Sequence, residues 1–191
     1  MFERFTEDAR DVVTGSAEHS ERAGEDSITE EHVLLAMLDQ EGTRAAFAFA
    51  SLGITDRRAS VEHALAEARR RGGLSKADED ALAGLGIDVA EIVSKVEEVD
   101  GQGALQAGGK PRRWWPGRRP FTAAAKGVLE RSLRIAVGRG DRCIGGEHLL
   151  LALVARPGVV ADVLAEHGAT YEAVERAMFG GGGGGGSAKA G

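Results

Sequence analysis

The residues of this chain best equipped for chemistry come in matched pairs. Glu31-His32 sits inside Ile28-x-x-Glu31-His32-x-Leu34-Leu35-Ala36, and Glu147-His148 inside Ile144-x-x-Glu147-His148-x-Leu150-Leu151-Ala152. Upstream of each, Phe5-Thr6-x-x-Ala9 returns as Phe121-Thr122-x-x-Ala125. All the matches share one offset, 116 residues, which marks an internal repeat. Two glutamates and two histidines are potential metal ligands. Adjacent helical residues point about 100° apart, however, and the His-x-x-x-His spacing that aims two ligands from one face is absent. No metal site is therefore expected. Each histidine reads as a buried, hydrogen-bonded structural residue, and each glutamate as a carboxylate in the opening turn of a helix, where the dipole favours it.

Other reactive types are sparse. Cys143 has no firm partner His or Asn and reads as a half-buried packing residue rather than a nucleophile. No Ser-His-Asp order or pair of catalytic carboxylates stands out. A phosphate-cradling Gly-x-x-x-x-Gly-Lys-Ser/Thr loop is missing, and the glycines before Ser187-Ala188-Lys189 have the wrong order. The expectation is a protein that is not an enzyme, hydrolyses no ATP and needs no cofactor.

Lys110, Arg112, Arg113, Arg118 and Arg119 surround Trp114-Trp115. Interleaved aromatics and arginines can stack on single-stranded nucleic acid, which gives an alternative reading as a nucleic-acid-associated regulator. With a formal net charge of -6 and five positive charges in this segment, the rest of the chain carries -11. Docking of the segment on its own protein, or on another protein, is therefore preferred, and nucleic acid is not the expected partner.

The elements that must position these residues read almost entirely as helix. Phe5, Ala9, Val12, Val13 and Ala17 share a helical face. Ser27 or Thr29 caps a second helix, whose Val33, Leu34, Leu35, Met37 and Leu38 predict a buried, central position. A short helix over 43–51 and another from Asp56 to Arg71 follow. The second copy repeats the plan. Thr122 caps a helix with Ala125, Val128, Leu129, Leu133 and Ala136, then Glu147-His148 opens another, and two more run to Met178. The fold class expected is all-α, two four-helix units related by an approximate twofold axis, each covering the other's apolar face. Residues 1–71 form the first repeat and 72–100 a helical insert carrying Ala81, Leu82, Leu85, Val89, Ile92, Val93 and Val96. Residues 101–119 form a Gly/Pro/Arg/Trp linker, 120–179 the second repeat, and 180–191 a Gly-rich tail whose composition predicts disorder. Hydrophobic residues at 42% and charged at 28% are ordinary for a globular protein. One cysteine, no membrane-spanning run and no apolar leader lead to an expected cytoplasmic, reducing compartment.

The repeated signature resembles the Clp N-terminal domain family, the double four-helix module at the front of the Clp unfoldases, and most resembles the ClpC N-domain. Met1-Phe2-Glu3-Arg4-Phe5-Thr6 is similar to its opening. Pro120-Phe121-Thr122-x-x-Ala125-Lys126-x-Val128-Leu129-Glu130-x-Ser132-Leu133 is similar to the start of its second repeat, and Ile144-Gly145-Gly146-Glu147-His148-Leu149-Leu150-Leu151 to its Ile-Gly-Thr-Glu-His-Ile-Leu-Leu signature. The resemblance covers residues 1–54 and 120–179 without the motor's ATPase modules. It implies a non-catalytic module that binds Clp protease components, adaptors or marked substrate proteins, as an adaptor or a decoy.

Site residues follow from the resemblance. In the family, the Glu of each signature grips the guanidinium of phosphoarginine, the degradation mark on substrates. Carried over, Glu31 with Thr6 makes a first site and Glu147 with Thr122 a second. Thr29-Glu30 in the first signature stands where the family has Gly-Thr, adding a carboxylate. Two unit charges about 4 Å apart repel by roughly 1 to 4 kcal/mol, so the second site, with uncharged Gly146, is expected to bind and the first not. Phe2, Arg10, Phe121, Lys126, Leu129 and Glu130 match positions lining the groove in which ClpC N-domains bind cyclic-peptide antibiotics. The alternative is that Phe2 and Phe121 simply seal the repeats together.

Overall fold

The computed structural model describes residues 4–74, 76–101 and 119–180. Among them are ten helices: α1 (Glu7–Arg22), α2 (Glu30–Leu38), α3 (Arg44–Ser51), α4 (Arg58–Arg70), α5 (Lys76–Gly84), α6 (Val89–Asp100), α7 (Ala123–Arg139), α8 (Gly146–Val154), α9 (Val159–Glu166) and α10 (Tyr171–Phe179). Phe2, the Lys110–Arg118 segment with Trp114 and Trp115, and the tail beyond Gly180 lie outside the described residues. The all-α, two-repeat expectation holds: α1–α4 make one unit and α7–α10 the other.

Local chemistry sets the helix starts. Hydroxyls of Thr6, Thr29, Thr43, Thr122 and Thr170 each accept the backbone N–H three residues on, as does the Asp88 carboxylate. The helix expected from Asp56 starts instead at Arg58, with no side-chain cap. The preceding turn is held by Ile54, fully buried, and by Arg57, which donates to the carbonyls of Leu52, Gly53 and His167.

The nearly all-apolar helices α2 and α8 lie against each other at the centre, with α1 and α7 beside them. On α8 every residue from His148 to Leu153 is buried, and on α2 His32, Val33, Leu34, Ala36 and Met37 are. The repeats also meet where α3 packs on α10 and α4 on α9. On α7 one side chain departs from expectation. Leu133 is exposed, and Ser132 takes the buried place on α7, as Ser16 does on α1. A serine fits that inner face because its hydroxyl bonds back to its own helix, Ser16 to the Val12 carbonyl and Ser132 to that of Leu129.

The insert is thinly packed. α5 buries no residue, and Leu85 and Ile92 are exposed rather than inside, while α6 buries Val89 and Val93. Ion pairs tie the α5–α6 hairpin to the end of α4: Arg70 grips Glu97 with two bonds of 3.0 Å each, and Arg71 reaches Glu79 at 3.0 Å.

Candidate functional site

The two repeats are stitched by backbone. Phe5 pairs with Ile144 and Ile28 with Phe121 as single parallel β-bridges. The Thr6 N–H donates to the Ile144 carbonyl and the Thr122 N–H to that of Ile28, both at 2.9 Å. Nothing in the helical periodicity announces these bridges, and they decide the site. Each capping threonine is delivered to the glutamate signature of the opposite repeat. The grouping drawn from the sequence, Thr6 with Glu31 and Thr122 with Glu147, is therefore replaced by a crossed one. Thr6 and Glu147 line one pocket, and Thr122 lies beside the segment that leads into Glu30 and Glu31. The reason is that the backbone N–H groups of Thr6 and Thr122, in the extended residues preceding α1 and α7, find their partners in the loop of the other repeat.

The Thr6–Glu147 pocket is open, about 640 Å³ in volume, and lined by Glu7, Asp8, Asp11, Gln40, Glu41 and Arg44 as well. Gln40 Nε2 donates to the Asp8 carbonyl at 2.7 Å, while Gln40 Oε1 is buried with no hydrogen-bond partner. Glu147 folds back over its own helix start, because Gly145 has no Cβ; one there would collide with the carboxylate. The Glu147 carboxylate lies 3.9 Å from the Arg44 guanidinium.

Around Thr122 the corresponding space is filled. Arg156, the counterpart of Gln40, donates Nη1–H to the Ala124 carbonyl at 2.9 Å and pairs through Nε with Glu30 at 3.2 Å. Glu31 is drawn the other way, to Arg69 at 3.2 Å. Thr29 stands where Gly145 leaves space for Glu147. Burial pushes the carboxyls of both Glu30 and Glu31 up from the usual range, against the pull of Arg156 and Arg69 respectively. Glu30 was expected to weaken this site by repelling a phosphate. Here it is paired with Arg156. The surplus of negative charge lies instead in the open pocket.

The histidines are buried and structural, as their spacing suggests. His32 Nδ1 accepts the Thr29 N–H at 3.1 Å, and His148 Nδ1 the Gly145 N–H at 3.0 Å, so each closes the start of its own helix. His148 Nε2 then meets Asp141 at 3.0 Å and His32 Nε2 lies 3.8 Å from Glu25. Burial pulls the His32 pKa down, with Glu25 opposing. Cys143 is exposed rather than half-buried. Of the groove residues, Phe121 and Leu129 are half-buried against the core, and Arg10, Lys126 and Glu130 are exposed on α1 and α7. Gln40, Arg44 and Arg156 were missed by sequence reasoning; their only signal was that the 116-residue offset maps Gln40 onto Arg156.

The model of the Clp repeat (R) N-terminal domain matches residues 4–79 and 120–179. The chain belongs to the Clp repeat N-terminal domain family. It is 33% identical over 172 residues to the chaperone protein ClpC2, chloroplastic, of Arabidopsis thaliana, covering 88% of this chain and 14% of that protein. An ATP-dependent Clp protease ATP-binding subunit ClpA homolog, chloroplastic, of Brassica napus is 32% identical over 170 residues, covering 88% and 15%. The chain thus spans about one seventh of the length of these relatives. In fold it is similar to the N-terminal domain of the caseinolytic protease associated chaperone ClpD from Arabidopsis thaliana, with a TM-score of 0.52, 19% identity, and coverage of 93% of this chain and 94% of that one. The family match breaks off at residue 79 and resumes at 120, so α6 lies outside what defines the Clp repeats. Among the described residues no single helix is long and apolar enough to cross a membrane.

Proposed function

We propose that this Clp repeat chain is a non-catalytic docking module of the Clp system, which holds client or adaptor proteins by a guanidinium group in the Thr6–Glu147 pocket. The observation that carries the reading is the pocket's donor–acceptor imbalance. Five carboxylates line the space, and Arg44 is the one cation among its lining residues. A guanidinium is the planar, permanently charged donor that fits such a set of acceptors. Phosphoarginine, the ligand that the family resemblance implies, would keep its guanidinium on Glu147 while its phosphate met Glu7, Asp8 and Asp11. Unmodified arginine is therefore the better match. An adaptor delivering cargo and a decoy competing for it would use the same pocket.

An NMR titration with Nα-acetyl-arginine amide tests the reading. Saturable shifts are expected at Thr6, Thr43 and Glu147. Glu147→Ala removes a charge-assisted bond of about 1.5 to 3 kcal/mol, a loss of roughly 10- to 150-fold in affinity. Absence of saturable shifts in the wild-type protein, or no weakening in Glu147→Ala, would overturn it.

A further inference from the structure

The two pockets start from the same blueprint, and Arg156 separates them. Gln40 and Arg156 occupy equivalent positions and make equivalent bonds, Gln40 to the carbonyl of Asp8 and Arg156 to that of Ala124. Beyond that bond the pockets diverge. Arg156 reaches on to Glu30, whose counterpart in the open pocket is Gly146. It also lies in a seat made by Gly127, where any Cβ would collide with Nη1. The counterpart of Gly127 is Asp11, a wall of the open pocket. In the filled pocket a guanidinium thus spans one carboxylate and one carbonyl. In the open pocket Gln40 reaches only the carbonyl, and its Oε1 acceptor is left without a donor.

We infer that Arg156 is a built-in ligand: its guanidinium occupies the second pocket as an arginine of a docked protein occupies the first, so the chain offers one guanidinium site and not two. The inference deepens the docking reading above and rests on it for the identity of the ligand. Tethering is what makes the self-occupation effective. A side chain fixed in the turn after α8 competes at an effective concentration of about millimolar or more, which a weakly bound free ligand does not displace. Positions 30, 127 and 156 together make the seat that only the second pocket has.

The test vacates the filled side and leaves its carboxylate in place. In Arg156→Gln the position takes the residue of its counterpart Gln40, while Glu30 stays to receive a guanidinium. The probe is Nα-acetyl-arginine amide, followed by amide shifts. Wild-type protein is expected to give saturable shifts around Thr6 and Glu147 only, and the variant to add a second saturable set at Thr122 and Gly127. A glutamine there keeps the Ala124 carbonyl bonded as Gln40 keeps that of Asp8, and Arg156→Ala carries the same expectation should Arg156→Gln not fold. Gly127→Ala added to Arg156→Gln puts a Cβ into the seat itself and should abolish that second set. Saturable shifts at Thr122 in the wild type, none there in both Arg156→Gln and Arg156→Ala, or a second set untouched by the added Gly127→Ala, would overturn the inference. The two readings fail separately. A variant that gains nothing beside a wild type that binds leaves the docking reading standing, whereas a wild type silent at Glu147 beside a variant that gains Thr122 removes docking and keeps the self-occupied pocket.

Discussion

Adding a phosphoryl group to the arginine ligand should weaken its binding to the Thr6–Glu147 pocket, and by an amount that salt erases. Five carboxylates against one guanidinium leave the lining with a net charge of -4. A ligand at the centre of a 640 Å³ space lies about 7 Å from these charges, where each unit pair interacts by about 0.6 kcal/mol in water. Phosphorylation changes the ligand's charge by about two units, so the unscreened penalty is about 5 kcal/mol. A Debye length of about 8 Å reduces this to about 2 kcal/mol at physiological ionic strength, roughly 30-fold in affinity. Calorimetric titration of Nα-acetyl-arginine amide and phosphoarginine at about 0.01 M and about 1 M salt brackets the effect. The ratio should favour arginine by more than about 30-fold in the dilute buffer and approach unity in the concentrated one. Phosphoarginine binding as tightly as arginine in dilute buffer, or a ratio indifferent to salt, refutes the reasoning.

Further outcomes follow from the packing. Phe5→Ala empties a fully enclosed place at the Phe5–Ile144 bridge and should cost about 3 to 5 kcal/mol in urea unfolding, with Phe121→Ala, half-buried, costing less. His32 is held neutral by burial, so its contribution to stability should be complete above about pH 6.5 and be lost as the pH falls below that toward its lowered folded-state value, the unfolded chain taking up the proton first. The raised carboxyls of Glu30 and Glu31 act with the opposite sign in a window above their ordinary value. The difference in urea midpoint between wild type and His32→Gln, followed across pH, isolates the histidine, and an unchanged difference would count against it. Glu97→Gln cuts the bidentate grip of Arg70 on the insert. Amide hydrogen exchange should rise across α5 and α6 while the thermal transition of the two repeats stays in place.

Much of this protein was legible in its sequence because the signals are local. The threonine caps and the apolar runs of α2 and α8 act over one or two helical turns, and with the 116-residue offset they specify two like units, α1–α4 and α7–α10, before any tertiary contact forms. Solvent-facing Leu133 and Ser132 turned inward show the limit of that reading, since one position on a helix separates buried from exposed. The insert shows another, because apolar spacing in α5 promised a buried face, and no residue of that helix is buried. What only the tertiary structure decided is which residues share a pocket and which pocket is open. Thr6 bonds to Ile144 across 138 residues of chain, a pairing no repeat signature encodes, since the signature is identical whether each threonine serves its own repeat or the other. Arg156 reads in the sequence as one more surface cation after a helix. It becomes a plug because the fold brings Glu30, the Ala124 carbonyl and the bare Cα of Gly127 around it at once, and a guanidinium can satisfy all three only where desolvation and geometry coincide.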